Sequence, residues 1–159
     1  MSKLDDILGM TDADELTGEL QGLILTHKPD ETTWSWPERL VVILCSMERW
    51  VGNGGFEGYL CMPTSCAVHD CITGLREIGC KNISKALARA LKRYPSADDV
   101  HEAVDVRQNY KLRRGAERRM AKDSQVFWDN ADFFVANLAA FARSNRSNFD
   151  WVNNLDEGG

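Results

Sequence analysis

The chain has almost none of the apolar–polar alternation that half-buried strands require, which argues against a sheet-based fold. It has no apolar run near the ~20 residues of a membrane-spanning helix. Its opening, "MSKLDDILGM", is acidic and lacks the basic-then-apolar order of a secretory signal. These absences predict a cytoplasmic protein with no membrane partner. The five cysteines (Cys45, Cys61, Cys66, Cys71 and Cys80) are odd in number and contain no C-x-x-C pair. That argues against a secreted disulfide framework, and the thiols read as small apolar side chains. G-x-G-x-x-G, G-x-x-x-x-G-K-[ST] and H-E-x-x-H are all missing, and so are internal repeats and low-complexity segments.

What is present is helix after helix. The 159 residues are 43% hydrophobic, enough for a real core. Capping-box candidates at Thr11–Asp14 or Asp12–Glu15 precede Leu16, Leu20, Leu23 and Ile24, which share one helical face. Pro37 begins a wide apolar stripe of Leu40, Ile43, Leu44, Met47, Trp50 and Val51. This predicts a central helix over about 37–52. The stretch "RWVGNGGFEGYL" then places Asn53, Gly54 and Gly55 between two apolar segments, predicting a helix corner at 52–55. Phe56 is expected to be buried, with positive φ at Gly54 or Gly55.

Beyond the corner, Thr64 or Ser65 is expected to cap a helix whose apolar face uses Val68, Cys71, Ile72, Leu75 and Ile78, ending at Gly79. Asn82 is the expected cap of "NISKALARALKRYP", whose Ile83, Ala86, Leu87, Ala90 and Leu91 follow the 3.6 period until Pro95. Ser96 is the expected cap of the next helix. One or two more follow, with Phe134, Leu138 and Phe141 on one face. The fold class is therefore all-α, one multi-helix domain. Residues 1–36 read as an acidic helical segment packed on or extending from the core, 37–152 as the main helical domain, and 153–159 as a flexible tail.

Candidate chemistry is sparse. Cys66 and His69 are three apart and could face one way, with Cys61, Cys71 and Cys80 nearby. The close-spaced pairs of structural zinc sites are absent, so core thiols with a surface histidine is the better reading. The glycines at 52–55 do not follow a strand, which disfavours a phosphate cradle. No metal, cofactor or catalytic residue is expected.

Charge is the informative feature. Net charge is −5 with a pI near 5.2. Residues 1–40 carry nine acids and three bases, whereas residues 101–122 carry three acids and seven bases. The basic run Arg107, Lys111, Arg113, Arg114, Arg118, Arg119 and Lys122, interleaved with Tyr110, is the one nucleic-acid candidate. The acidic balance of the whole favours a solvated face there instead. Asp12, Glu15 and Glu19 have the opposite character. Their spacing lines one helix face with carboxylates ~5–6 Å apart, a rough match to neighbouring phosphates. Such a stripe could compete for the Lys and Arg side chains of a DNA-binding face; an ordinary wet helix face has the same pattern.

The corner also carries a resemblance. "NGGFEGYL" resembles the N-G-G-F-x-Q-Y-F signature of a bacterial domain family of unknown general function, typified by a DNA mimic protein. Asn53, Gly54, Gly55, Phe56 and Tyr59 match; Gly58 and Leu60 depart from the usual Gln and Phe, and Met62 stands where a second Asn is common. "GLREIGCKNISKALARALKRY" and "FWDNADFFVANLAAFARSN" are similar to later stretches of the family, so the likeness spans roughly 37–152. It implies an all-helical fold and a binding role without catalysis. The departures at Gly58 and Met62 weaken the case for a shared polar site. The motif is expected to be mainly structural.

The functional expectation is a non-catalytic protein-binding protein, with the acidic surface at Asp12, Glu15 and Glu19 contacting a DNA-binding regulator as a DNA mimic would. The alternative is an immunity or antitoxin-type inhibitor of a toxin or enzyme. An enzyme, a metal protein and a nucleic-acid binder using residues 107–122 rank lower. A homodimer is left open.

Overall fold

Ser2 opens the first helix with a reciprocal cap. Its hydroxyl accepts the Asp5 N–H at 3.2 Å, and the Asp5 carboxylate accepts the Ser2 N–H at 3.2 Å. The computed structural model describes residues 2–155. Among these it has eight α-helices: α1 (Lys3–Leu8), α2 (Ala13–His27), α3 (Trp36–Leu60), α4 (Val68–Glu77), α5 (Lys81–Leu91), α6 (Val100–Asn109), α7 (Arg114–Asp129) and α8 (Ala131–Ser144). Short 3-10 helices occupy Glu31–Thr33, Pro63–Ala67 and Arg146–Asn154. No strand occurs among the described residues, so the fold is all-α as the periodicity predicts. None of the described helices is long and apolar enough to cross a membrane.

The chain forms two compact units, Met1–Cys45 with Asp132–Gly159, and Ser46–Ala131. In the first unit, α1 packs on α2 and on the final 3-10 helix. Its core holds Leu4, Leu16, Leu20, Ile24, Leu40, Leu44, Phe134, Phe149 and Val152, all inaccessible to solvent. Of the expected tail, residues 156–159 lie outside the described residues. Asn153 is tied in, its Oδ1 accepting the Leu4 N–H at 3.0 Å. Arg143 on α8 donates to the carbonyls of Leu8 at 2.9 Å and Met10 at 2.7 Å, fixing the turn between α1 and α2.

A buried carboxylate organises the start of α3. Glu38, 1% exposed, accepts the Ser35 N–H at 2.6 Å, while the Ser35 hydroxyl lies 3.4 Å from the Glu38 N–H. The same carboxylate takes the Lys28 ammonium at 2.7 and 2.8 Å and the Trp151 indole N–H at 2.6 Å. One capping residue thus ties the loop before α3 to the 3-10 helix Arg146–Asn154. A buried charge is tolerable because every face of it is hydrogen-bonded.

In the second unit, α5 packs against α4 and α7, and α6 against the 3-10 turn Pro63–Ala67. The predicted face of α5 is buried: Ile83, Ala86, Leu87 and Ala90 are each at most 1% exposed. Asp123 on α7 is buried between Arg89 and Arg93, with contacts of 2.8 and 2.6 Å.

Three expected caps differ from those observed. The residue before α4 is Ala67, before α5 Cys80, and before α6 Asp99. Ser65 turns inward, Asn82 lies inside α5, and Asp99 displaces Ser96 because its carboxylate accepts the His101 and Glu102 N–H groups, both at 2.9 Å.

Candidate functional site

α2 begins at Asp12, whose Oδ1 accepts the Glu15 N–H at 3.0 Å. The apolar face of the helix, Leu16, Leu20 and Ile24, is fully buried, which forces the opposite face outward. Asp12, Asp14, Glu15 and Glu19 are all exposed on it. The Glu15 and Glu19 carboxylates make no ion pair or hydrogen bond among the described residues, whereas Asp12 spends one oxygen on its cap. Asp12, Asp14 and Glu15, at the N-terminal end of the helix, are favoured by the helix dipole, whereas Glu19 lies beyond the first turn.

These residues belong to the first unit, which carries thirteen acidic and five basic residues, a net −8. The second unit carries eleven acids and fourteen bases, a net +3. In the first unit Asp30 also caps a turn, and its carboxyl is held below the usual range by the Thr32 hydroxyl and N–H. Asp5 is likewise lowered by the Ser2 hydroxyl, and it pairs with Arg146 at 2.9 Å.

The corner behaves as a structural device. Helix α3 is broken at Gly55, which has φ 65° and ψ −169°. Gly54 keeps helical geometry, so of the two expected glycines Gly55 is the one with positive φ. The Asn53 amide donates to the Arg49 carbonyl at 3.0 Å, one turn back. The N–H freed at the break, that of Phe56, donates to the Ser124 hydroxyl of α7 at 2.9 Å. Phe56 is fully buried and meets Phe127 edge-on at 6.4 Å, and the Trp128 indole donates to the Val51 carbonyl at 3.1 Å. Tyr59, 1% exposed, places its hydroxyl 3.3 Å from the Cys71 thiol; burial drives its phenol far above its ordinary range. The motif thus docks the end of α3 on α7. Ser124, Phe127 and Trp128 complete it, and no spacing rule in the sequence links them to Asn53–Tyr59.

The cysteines do not gather into a metal site. All five are free thiols, with Cys45, Cys71 and Cys80 buried. Among the described residues no group of three His, Cys, Asp or Glu side chains could hold a metal ion. The basic run is not one face either. Arg107 is 3% exposed and turned into the protein, so the exposed bases begin at Lys111. Its position three residues after the apolar Val104, also buried, is the signal that distinguishes it from its neighbours. Tyr110 packs edge-on against Tyr94 at 6.0 Å rather than standing clear as a stacking platform.

A family model described as DMP19-like protein matches residues 33–145, most of the chain. The chain belongs to the DMP19-like family. DMP19 denotes a DNA mimic protein. No curated protein and no solved structure matches the chain. The matched segment contains the whole Asn53–Tyr59 corner and its α7 partners. The acidic helix α2 of this DMP19-like chain precedes the match, and so does α1.

Proposed function

We propose that this DMP19-like protein is a non-catalytic binding protein, a DNA mimic whose acidic first unit occupies the nucleic-acid-binding face of a DNA-binding protein. The observation that carries the reading is the segregation of charge: a net −8 on one compact unit, with Asp12, Glu15 and Glu19 exposed along α2. Family membership supports the same direction. A surface of this kind speeds association with a cationic face and is screened by salt over about 8 Å at physiological ionic strength.

The test uses the full chain with Asp12→Asn, Glu15→Gln and Glu19→Gln. Asn retains the cap at position 12 while the three changes remove three charges. The measurement is capture of proteins from a bacterial lysate, with elution by duplex DNA and identification by mass spectrometry. The expected result is a DNA-binding regulator that duplex DNA displaces from the wild-type chain and that the variant captures poorly. Capture that is indifferent to salt, to DNA and to the three substitutions would sink the reading. A captured toxin or enzyme that DNA does not displace would favour the inhibitor reading.

A further inference from the structure

Among the described residues, Arg107 is a buried cation with no counter-ion. Its Nε donates to the Leu60 carbonyl at 2.7 Å, and its Nη2 donates to the Ser65 hydroxyl at 2.8 Å and the Ser65 carbonyl at 3.3 Å. These bonds pin the end of α3 and the 3-10 turn to α6. All the acceptors are neutral. No carboxylate pairs with Arg107 among the described residues, and its Nη1 has no protein acceptor. Taking a guanidinium out of water costs several kcal/mol, and neutral dipoles return only part of that. Holding two carbonyls and a hydroxyl needs only a donor; it does not need a permanent charge.

The same side chain lines two adjoining cavities of the second unit. The larger is about 340 Å³, within the range of small-molecule sites, and is lined also by His69, Lys92, Tyr94, Pro95 and Ala103. The smaller, about 110 Å³, shares His69, Ala103 and Arg107 and has Asp98 at its wall. Tyr94 is 7% exposed, and its hydroxyl, beside the Cys61 thiol, forms no well-directed hydrogen bond. A buried phenol left without a good partner is costly in the same way as the unpaired cation. The larger cavity therefore combines apolar walls, Tyr94 among them, with a buried cation and a lysine.

We propose that this cavity binds a small organic carboxylate, its anionic group facing Arg107 and its apolar body against Tyr94, Pro95 and Ala103. A carboxylate suits the site better than a phosphate because few donors are available and Asp98 stands against a second negative charge. Lys92 at the rim draws the anion in, and the His69 imidazole lines the approach. The site lies in the second unit, and its occupancy is independent of partner capture by the acidic first unit.

The test is calorimetric titration of the full chain with benzoate, and separately with phenyl phosphate and inorganic phosphate, at matched ionic strength. The expected result is saturable one-to-one binding of benzoate with a dissociation constant on the order of a millimolar or tighter. Arg107→Gln removes structural bonds as well, so the decisive variants are others. The exposed pair His69→Ala with Lys92→Ala is expected to weaken benzoate about tenfold, and Asp98→Asn to strengthen it. The proposal is overturned if benzoate shows no saturable binding, if the rim variant binds it unchanged, or if only the phosphates bind.

Discussion

Gly54 and Gly55 are neighbours, yet alanine should act on them in opposite directions. At Gly55 an added Cβ would meet the Ser124 Oγ at 2.7 Å and the Ser124 Cβ at 3.2 Å. The backbone at φ 65°, ψ −169° also lies in a region that is essentially glycine-only, worth about 1–3 kcal/mol. Displacing Ser124 strands the buried Phe56 N–H, which costs about 1–3 kcal/mol more. The two costs overlap, so Gly55→Ala is expected to destabilise by about 2–5 kcal/mol. At Gly54 the φ is negative, the position is exposed, and an added Cβ meets nothing within 4 Å. Gly54→Ala should stabilise by about 0.5–1 kcal/mol through reduced freedom of the unfolded chain. Urea unfolding followed by far-ultraviolet circular dichroism separates them. With a slope of about 2 kcal/mol/M, the Gly55→Ala midpoint falls by about 1–2.5 M. Adding Ser124→Gly to Gly55→Ala should recover only part of the loss, because it removes the clash and leaves the backbone strain. Midpoints for the two single variants within about 0.3 M of each other would refute the account of the corner.

Glu38→Ala is expected to cost about 3–5 kcal/mol, since it leaves the Lys28 ammonium, the Ser35 N–H and the Trp151 N–H without their acceptor; tryptophan-fluorescence unfolding checks it, and a loss below about 1 kcal/mol would contradict the network. Asp99 titrates below its ordinary 3.8 because its carboxylate accepts the Glu102 and His101 N–H groups. Its stabilisation is therefore complete above about pH 4 and is lost as pH falls through the lowered folded-state value. Asp99→Asn keeps a neutral cap, so stability near pH 6 should change little while its decline below about pH 4 becomes shallower. An identical acid limb in both proteins would exclude Asp99 as a contributor.

Helical periodicity made much of the fold legible. The buried faces of α2 and α5, the break at Gly55 and the positive φ of Gly79 (89°) follow from apolar spacing and from what a residue without Cβ permits. Helix α1 escaped because six residues give too few turns for a period, and only the Ser2–Asp5 reciprocal cap marks it. The caps of α4, α5 and α6 escaped for another reason. Several polar residues compete within a few positions, and the one used depends on where the backbone leaves the extended region. Arg107 shows the limit of reading charge from a run: its six basic neighbours face solvent, and it does not. Ser124 could not be linked to the corner because their meeting is 68 residues apart in the chain.

The family motif and the acidic stripe answer different questions. Asn53, Gly54, Gly55, Phe56 and Tyr59 are spent on ending a helix, turning the chain and burying two rings, and the Tyr59 hydroxyl is buried against the Cys71 thiol. A motif used up in this way identifies a fold and is silent about the surface that fold presents. Asp12, Glu15 and Glu19 lie before Thr33, where the family match begins, and only Asp12 has a structural task. Neutralising Glu15 and Glu19 should therefore leave the fold intact, and any loss of partner capture reports on the surface alone. Substitution at Gly55 should damage folding first, and binding only as a consequence. The two classes of variant separate membership of the family from the mimicry proposed for this chain.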